Sequence, residues 1–164
     1  MTISFRPTEA TDVGRLLPLY NRYVRTSTAT FHTEEVDETT FRGLLFPGYP
    51  RYDSWAVLAD GVLAGYVILA RYKPREAYDG SAEVTIYLDP AFSGKGLGSA
   101  ALDYVEARAR ERSFHNLLAI ICGENTASIK LFEKHSYQKC AHYHEVGRKF
   151  GRWLDVVSYE KLLG

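Results

Sequence analysis

The sequence predicts one α/β domain over residues 1–164, with helices flanking a mixed, mostly antiparallel sheet. Three observations predict it. Apolar runs at 54–59 and 62–70 are joined by Asp60-Gly61, a strong two-residue hairpin signal. A strand-like run at 82–88 leads through Gly94, Gly96 and Gly98 into an amphipathic helix and a second apolar run. That crossover implies a parallel pair in the middle of the sheet. Two long strand-like stretches then close the chain, turning around Gly147 to Gly151.

Taken in order, Ile3 and Phe5 alternate with polar residues, and Pro7 ends a short first strand. Asp12 is the expected N-cap of a helix that carries Val13, Leu16, Leu17, Tyr20, Tyr23 and Val24 at helical spacing. Pro18 either kinks this helix or marks its true first turn. Residues 25–32 are polar and threonine-rich, which reads as a loop or a broken helix near a pocket. A weaker helix covers 37–46 and stops at Pro47-Gly48. In the strand at 82–88, Ala82, Val84, Ile86 and Leu88 share one face and Glu83, Thr85 and Tyr87 the other. The helix at 99–112 turns Ala101, Leu102, Val105 and Ala109 inward. The continuous apolar run at 117–122 is expected to be covered on both faces. Asn125 opens a helix to about His135.

Twenty basic and twenty acidic residues cancel, so bulk charge gives no reason to expect a nucleic-acid or membrane partner. Two cysteines without a CxxC pair argue against structural zinc, and Cys122 reads as a small buried hydrophobe. His142 and His144 alternate on one strand face with no third ligand evident, so they read as ordinary strand histidines and no metal is expected. No secretory signal or membrane-length apolar run is visible, which makes the cytoplasm the expected location.

The glycine-rich loop carries the functional reading. A strand, then such a loop, then a helix start aims unpaired backbone N–H groups at one spot, a site suited to a cofactor pyrophosphate. A Walker loop needs GxxxxGK followed by Ser or Thr, and that spacing is absent. Residues 96–101 fit GxGxxA, with Glu124 after the next strand in the place of a ribose ligand. Against a dinucleotide fold, Asp89 to Ser93 intrude before the glycines and only one crossover is visible. Coenzyme A is the third reading.

Here the chain resembles a known family. Residues 83–101 are similar to the acyl-CoA motif of the GNAT acetyltransferases, Q/R-x-x-G-x-G/A between a strand and a helix, with Ser93 in the Gln or Arg position. Residues 125–137 are similar to that family's second motif, N-x-x-S-x-x-L-[YFH]-E-x-x-G-[FY], with Ser136 where Gly is usual. A narrower resemblance runs nearly the full length, to the phosphinothricin and methionine sulfoximine/sulfone acetyltransferase branch. It is carried by Leu19-Tyr20-Asn21, residues 26–31, residues 72–78, residues 82–88 and Lys149-Phe150-Gly151-Arg152-Trp153-Leu154-Asp155-Val156.

The resemblance implies acetyl-CoA as the acetyl donor and splayed parallel strands that admit its pantetheine arm near Tyr87 and Leu88. It places the cofactor on Ser93, Gly94, Lys95, Gly96, Leu97, Gly98 and Ser99, with Ser128. Glu83 matches the family's catalytic glutamate, the base for an amine that is an ammonium at pH 7. Asn125 has two readings, an N-cap or a hydrogen bond to the cofactor or a relay water. Phe132 stands where the family often has Tyr or His and cannot donate a proton, so thiolate leaves unassisted or another Tyr serves. Phe31 and the loop at 26–30 are expected to wall a pocket for a small amino acid, with Arg75 and Tyr78 binding its side-chain oxygens. A homodimer is expected as well, because Tyr143, Phe150, Trp153 and Tyr159 fall on late strands read as a sheet edge.

Overall fold

A computed structural model describes all of residues 1–164. Seven strands form one sheet in the order β1-β2-β3-β4-β5-β7-β6. They are β1 (Ile3–Pro7), β2 (Asp53–Ala59), β3 (Val62–Arg71), β4 (Ser81–Leu88), β5 (Asn116–Cys122), β6 (Gln138–Lys149) and β7 (Arg152–Leu162). The helices are α1 (Val13–Thr26), α2 (Glu38–Leu45), α3 (Leu97–Glu111) and α4 (Thr126–Lys134). No helix is long and apolar enough to cross a membrane.

Local chemistry accounts for the element ends. Asp60 and Gly61 both take positive φ, 48° and 77°, the turn that matches strand twist. Asp37 caps α2 by accepting from the Thr40 N–H at 2.8 Å. Asp12 does not cap α1 with its side chain. Its buried carboxylate instead accepts from both terminal nitrogens of Arg6 at 2.8 Å and from the Glu9 N–H at 2.8 Å. Pro18 lies inside α1 and is exposed, so the Gly14 carbonyl it leaves free faces water. At the end of α4, Ser136 occupies the left-handed region at φ 70°, closing the helix with Ser136 N–H to Glu133 O and Tyr137 N–H to Phe132 O.

Central β3 is covered on both faces. Val67 and Leu69 pack with Leu97, Leu102 and Val105 on one side, while Tyr66 and Ile68 pack with Leu16, Tyr20, Phe41 and Leu45 on the other. This two-sided core fixes β4. The expected parallel pair is β4 with β5, and it holds only over Ser81↔Asn116, Ala82↔Leu117 and Glu83↔Leu118. Beyond Glu83 the two strands part. The run at 117–122 is therefore not covered throughout, because Ile120 is 43% exposed and faces the gap.

Candidate active site

The gap between β4 and β5 is a cleft of about 630 Å³. Its wall includes Glu83 to Leu88 from β4, Ala119 to Cys122 from β5, the glycine loop, the first turns of α4, and Ser27 to Phe31. Parted strands leave peptide groups on the cleft side without a partner strand. They offer pairing sites to a ligand that carries amides of its own.

The glycine loop is backbone chemistry. Gly96 has φ 82° and stands at the N-cap of α3 without a side-chain cap, a conformation that costs glycine nothing. The N–H of Ser93 bonds to Pro90 O, and that of Ala100 to Gly96 O. Between them the N–H groups of Gly94 to Ser99 have no acceptor within the protein. Six consecutive free amides at a helix start form an anion cradle. Ser93, Gly94, Gly96, Leu97 and Gly98 line the cleft; Lys95 is exposed beside the Phe92 ring, and Ser99 is half-buried and outside the lining.

At the opposite end stands Glu83, where strand pairing stops. Burial raises its pKa above the ordinary carboxylate value, and Lys73 only partly opposes this. Asn125 caps α4 through its Oδ1, which accepts from the Ser128 N–H at 3.2 Å. Its amide nitrogen has no protein partner, so the cap leaves a donor for the cleft. Phe132 lines the cleft and packs edge-on against Tyr137.

The structure separates Arg75 and Tyr78 from the cleft wall. Their exposed loop folds on itself, with Tyr78 N–H bonded to Arg75 O and the Tyr78 ring edge-on to Tyr72. Phe31 does reach the wall. Residues not singled out from sequence also reach it: Tyr23, whose hydroxyl donates to Leu88 O at 2.5 Å, and Cys122. Helical spacing and apolar character had assigned both to the core, and nothing local marks them otherwise.

Glu124 is committed elsewhere than to a ribose. Arg152 donates to both its oxygens at 2.8 and 3.0 Å, Thr28 donates at 2.8 Å, and these bonds hold its pKa at about 2. His142 and His144 do have a third neighbour, Asp155, whose Oδ2 lies 2.8 Å from His142 Nε2. The two rings are stacked, 4.1 Å apart and 8° from parallel. One ion cannot lie in both ring planes, as imidazole lone pairs require.

Comparison with known proteins accords with this geometry. The Acetyltransferase (GNAT) family matches residues 16–137. The chain belongs to the GNAT acetyltransferases. It is 32% identical to the phosphinothricin N-acetyltransferase of Streptomyces coelicolor, covering 98% of this chain and 96% of that one. It is also 32% identical to the L-methionine sulfoximine/L-methionine sulfone acetyltransferase of Pseudomonas aeruginosa, over 96% and 92%. A GNAT superfamily phosphinothricin acetyltransferase from Sinorhizobium meliloti, solved with acetyl-CoA, superposes with a TM-score of 0.91 at 28% identity, over 100% of this chain and 90% of that one. As a GNAT enzyme this protein is an N-acetyltransferase that takes acetyl-CoA as its acetyl donor.

Proposed function

We propose that the protein acetylates the α-amine of a small amino acid of the phosphinothricin, methionine sulfoximine or methionine sulfone type. The observation that carries this reading is one cleft with six free amides at one end and a half-buried carboxylate of raised pKa at the other. The full-length likeness to enzymes named for those substrates supports it.

Bound acetyl-CoA supplies an electrophilic thioester. Gly94 to Ser99 hold its pyrophosphate by main-chain N–H groups, with Ser128 at the neighbouring helix start. Peptide groups near Tyr87 and Leu88 pair with the pantetheine arm and face the acetyl oxygen as negative charge builds there. Glu83 takes the proton from the substrate ammonium, directly or through one water. Its raised pKa brings it closer to the amine than an ordinary carboxylate, which eases that transfer. The amine then bonds to the acetyl carbon, its nitrogen sheds a second proton to water, and the carbon–sulfur bond breaks. A thiol's pKa of about 8.5 lets thiolate leave without an acid, which fits Phe132. Asn125 turns its free amide nitrogen toward the cofactor or a relay water.

Phe31, Thr28 and Thr30 form the amine end of the wall. Release of thiol in the presence of a panel of amines tests the reading. Methionine sulfone or phosphinothricin should give the highest kcat/KM. A best substrate that is a peptide N-terminus or an unrelated amine would replace the substrate class, and no turnover with any amine would leave a CoA-binding module.

We also propose a cytoplasmic homodimer. Two unbonded cysteines suit a reducing compartment. Tyr143, Val146, Phe150 and Trp153 are all exposed on the β6–β7 hairpin, and Trp153 is 58% exposed with Arg148 over its ring. Tyr159 leaves this group: at 5% exposure it sits in the core, because β7 lies between β5 and β6. Light scattering at micromolar concentration should give twice the 18.6 kDa chain mass. A monomer there would end the dimer reading. A folded Trp153→Ala variant that stays dimeric would remove only Trp153 as its anchor.

A further inference from the structure

We infer that Lys149 is a positioning residue for the amine end of the cleft, acting through the loop at 27–31; this rests on the reading that the loop contacts the amine substrate. Lys149 ends β6 and is 4% exposed. Its ammonium donates to the carbonyls of Ser27 at 2.7 Å and Thr30 at 2.8 Å. Two of its three protons are thus spent on one short loop. Burial pushes its pKa below the ordinary lysine value, and no carboxylate offsets that loss. A charge buried against neutral carbonyls is costly to keep, so a packing role alone would be better served by an apolar side chain.

The loop bonds to itself once, the Ala29 N–H donating to Ser27 Oγ at 2.9 Å, and its carbonyls at Ser27, Ala29 and Thr30 are held from outside. The Ala29 carbonyl accepts from the Tyr87 hydroxyl at 3.1 Å, and Thr30 Oγ1 is bonded to the Tyr20 hydroxyl at 2.7 Å. With Lys149 on Ser27 and Thr30, three of its carbonyls are held by side chains from outside. Phe31 lies directly on the β6 backbone: a Cβ at Gly147 would stand 2.3 Å from the ring. The hairpin therefore sets where the loop's cleft-facing groups sit. Lys149 supplies the charge-assisted bonds that hold it there. Removing them releases the wall that meets the amine and leaves the glycine loop untouched, so the loss falls on one substrate only.

The test is steady-state kinetics of Lys149→Met, with amide hydrogen exchange of residues 28–31. We expect the amine KM to rise at least tenfold, kcat to stay within about threefold, and the acetyl-CoA KM within about twofold. Exchange at 28–31 should quicken. Lys149→Gln keeps an N–H donor without the charge; it should fall between, and it replaces Lys149→Met if that variant does not fold. Val57→Ala, in the core of β2, serves as a comparison of lowered stability. It should lower Tm and leave the amine KM unchanged. An unchanged amine KM in the folded Lys149 variants, or an equal rise in Val57→Ala, overturns the assignment. Phe31→Ala separates this from the underlying reading. If Phe31→Ala raises the amine KM and the Lys149 variants do not, Lys149 alone is wrong. If Phe31→Ala changes nothing, the loop is not the amine site and both readings fall.

Discussion

At the glycine end of the cleft, the groups facing the ligand are main-chain amides of six successive residues. Over residues 27–31, by contrast, the wall is a loop held by side chains of Lys149, Tyr87, Tyr20 and Glu124. The first arrangement needs only one correct local conformation. The second needs α1, β4, β6 and the end of β5 to be in place together. A cofactor common to many reactions can be met by backbone, whereas a particular amine needs a wall that side chains can reshape.

The contrast can be broken most forcefully from the cofactor end. Gly96→Asp adds a carboxylate beside the free amides; no atom would meet its Cβ, so its cost to the fold is the roughly 1–2 kcal/mol of one left-handed residue, and the fold should persist. Like-charge contact costs several kcal/mol. Acetyl-CoA affinity measured by calorimetry should fall by about a hundredfold or more, and unchanged affinity would remove the cradle assignment.

Glu83→Gln cuts at the other end. Turnover should drop by roughly a hundredfold or more, with acetyl-CoA affinity nearly unchanged. The pH profile sharpens this. Glu83 is raised by burial, so its active anion, and with it turnover, disappears as pH falls through that raised value. Glu124 is depressed to about 2, so its ties to Thr28 and Arg152 strengthen the fold above the ordinary carboxylate pKa and fade only as pH falls toward 2. The acidic limb of kcat/KM thus belongs to Glu83 and should vanish in Glu83→Gln. Activity within about twofold of wild type would make Glu83 structural.

A smaller effect is expected at Arg75. Arg75→Gln lies outside the cleft wall, and the amine KM should change by less than about threefold. A tenfold rise would mean that the loop at 72–80 closes over the substrate and that the amine end is larger than Phe31, Thr28 and Thr30. Ser136→Gly should spare both ends. It relieves a left-handed serine at the end of α4 at some cost in chain entropy, a net gain of roughly 0.5–1 kcal/mol. Tm should rise by roughly 1–4 °C with kinetics unchanged.

The same contrast explains what could be read from the chain. The hairpin at Asp60-Gly61, the crossover into α3 and the parallel pair followed from local pattern, because turn chemistry and periodicity are short-range. So did the cleft's glycine end. α3 begins at Leu97 rather than Ser99, since Gly96 in the left-handed region serves as its N-cap. Asp12 has the sequence context of an N-cap, yet Arg6, six residues back on another element, takes its carboxylate. Sequence order puts Tyr159 on an edge strand and hides that β7 inserts between β5 and β6. The amine end was the least legible. Its decisive bonds join residues 119, 122 and 96 positions apart, and no window of sequence contains both partners.

The sheet has two borders, and they differ in how they meet other molecules. β1 spans five residues and finishes at Pro7, which has no N–H to offer. β6 spans twelve, with exposed Tyr143 and Val146 along it. The chain's formal charge is zero at pH 7, so no long-range repulsion keeps copies apart there. Colloidal behaviour near neutrality therefore depends in part on this hairpin. Its bulge between Tyr143 and Gly147 breaks the ladder that a foreign strand would extend. Straightening that bulge would expose the ladder to precipitation and would also shift Gly147 and Lys149 against the loop at 27–31.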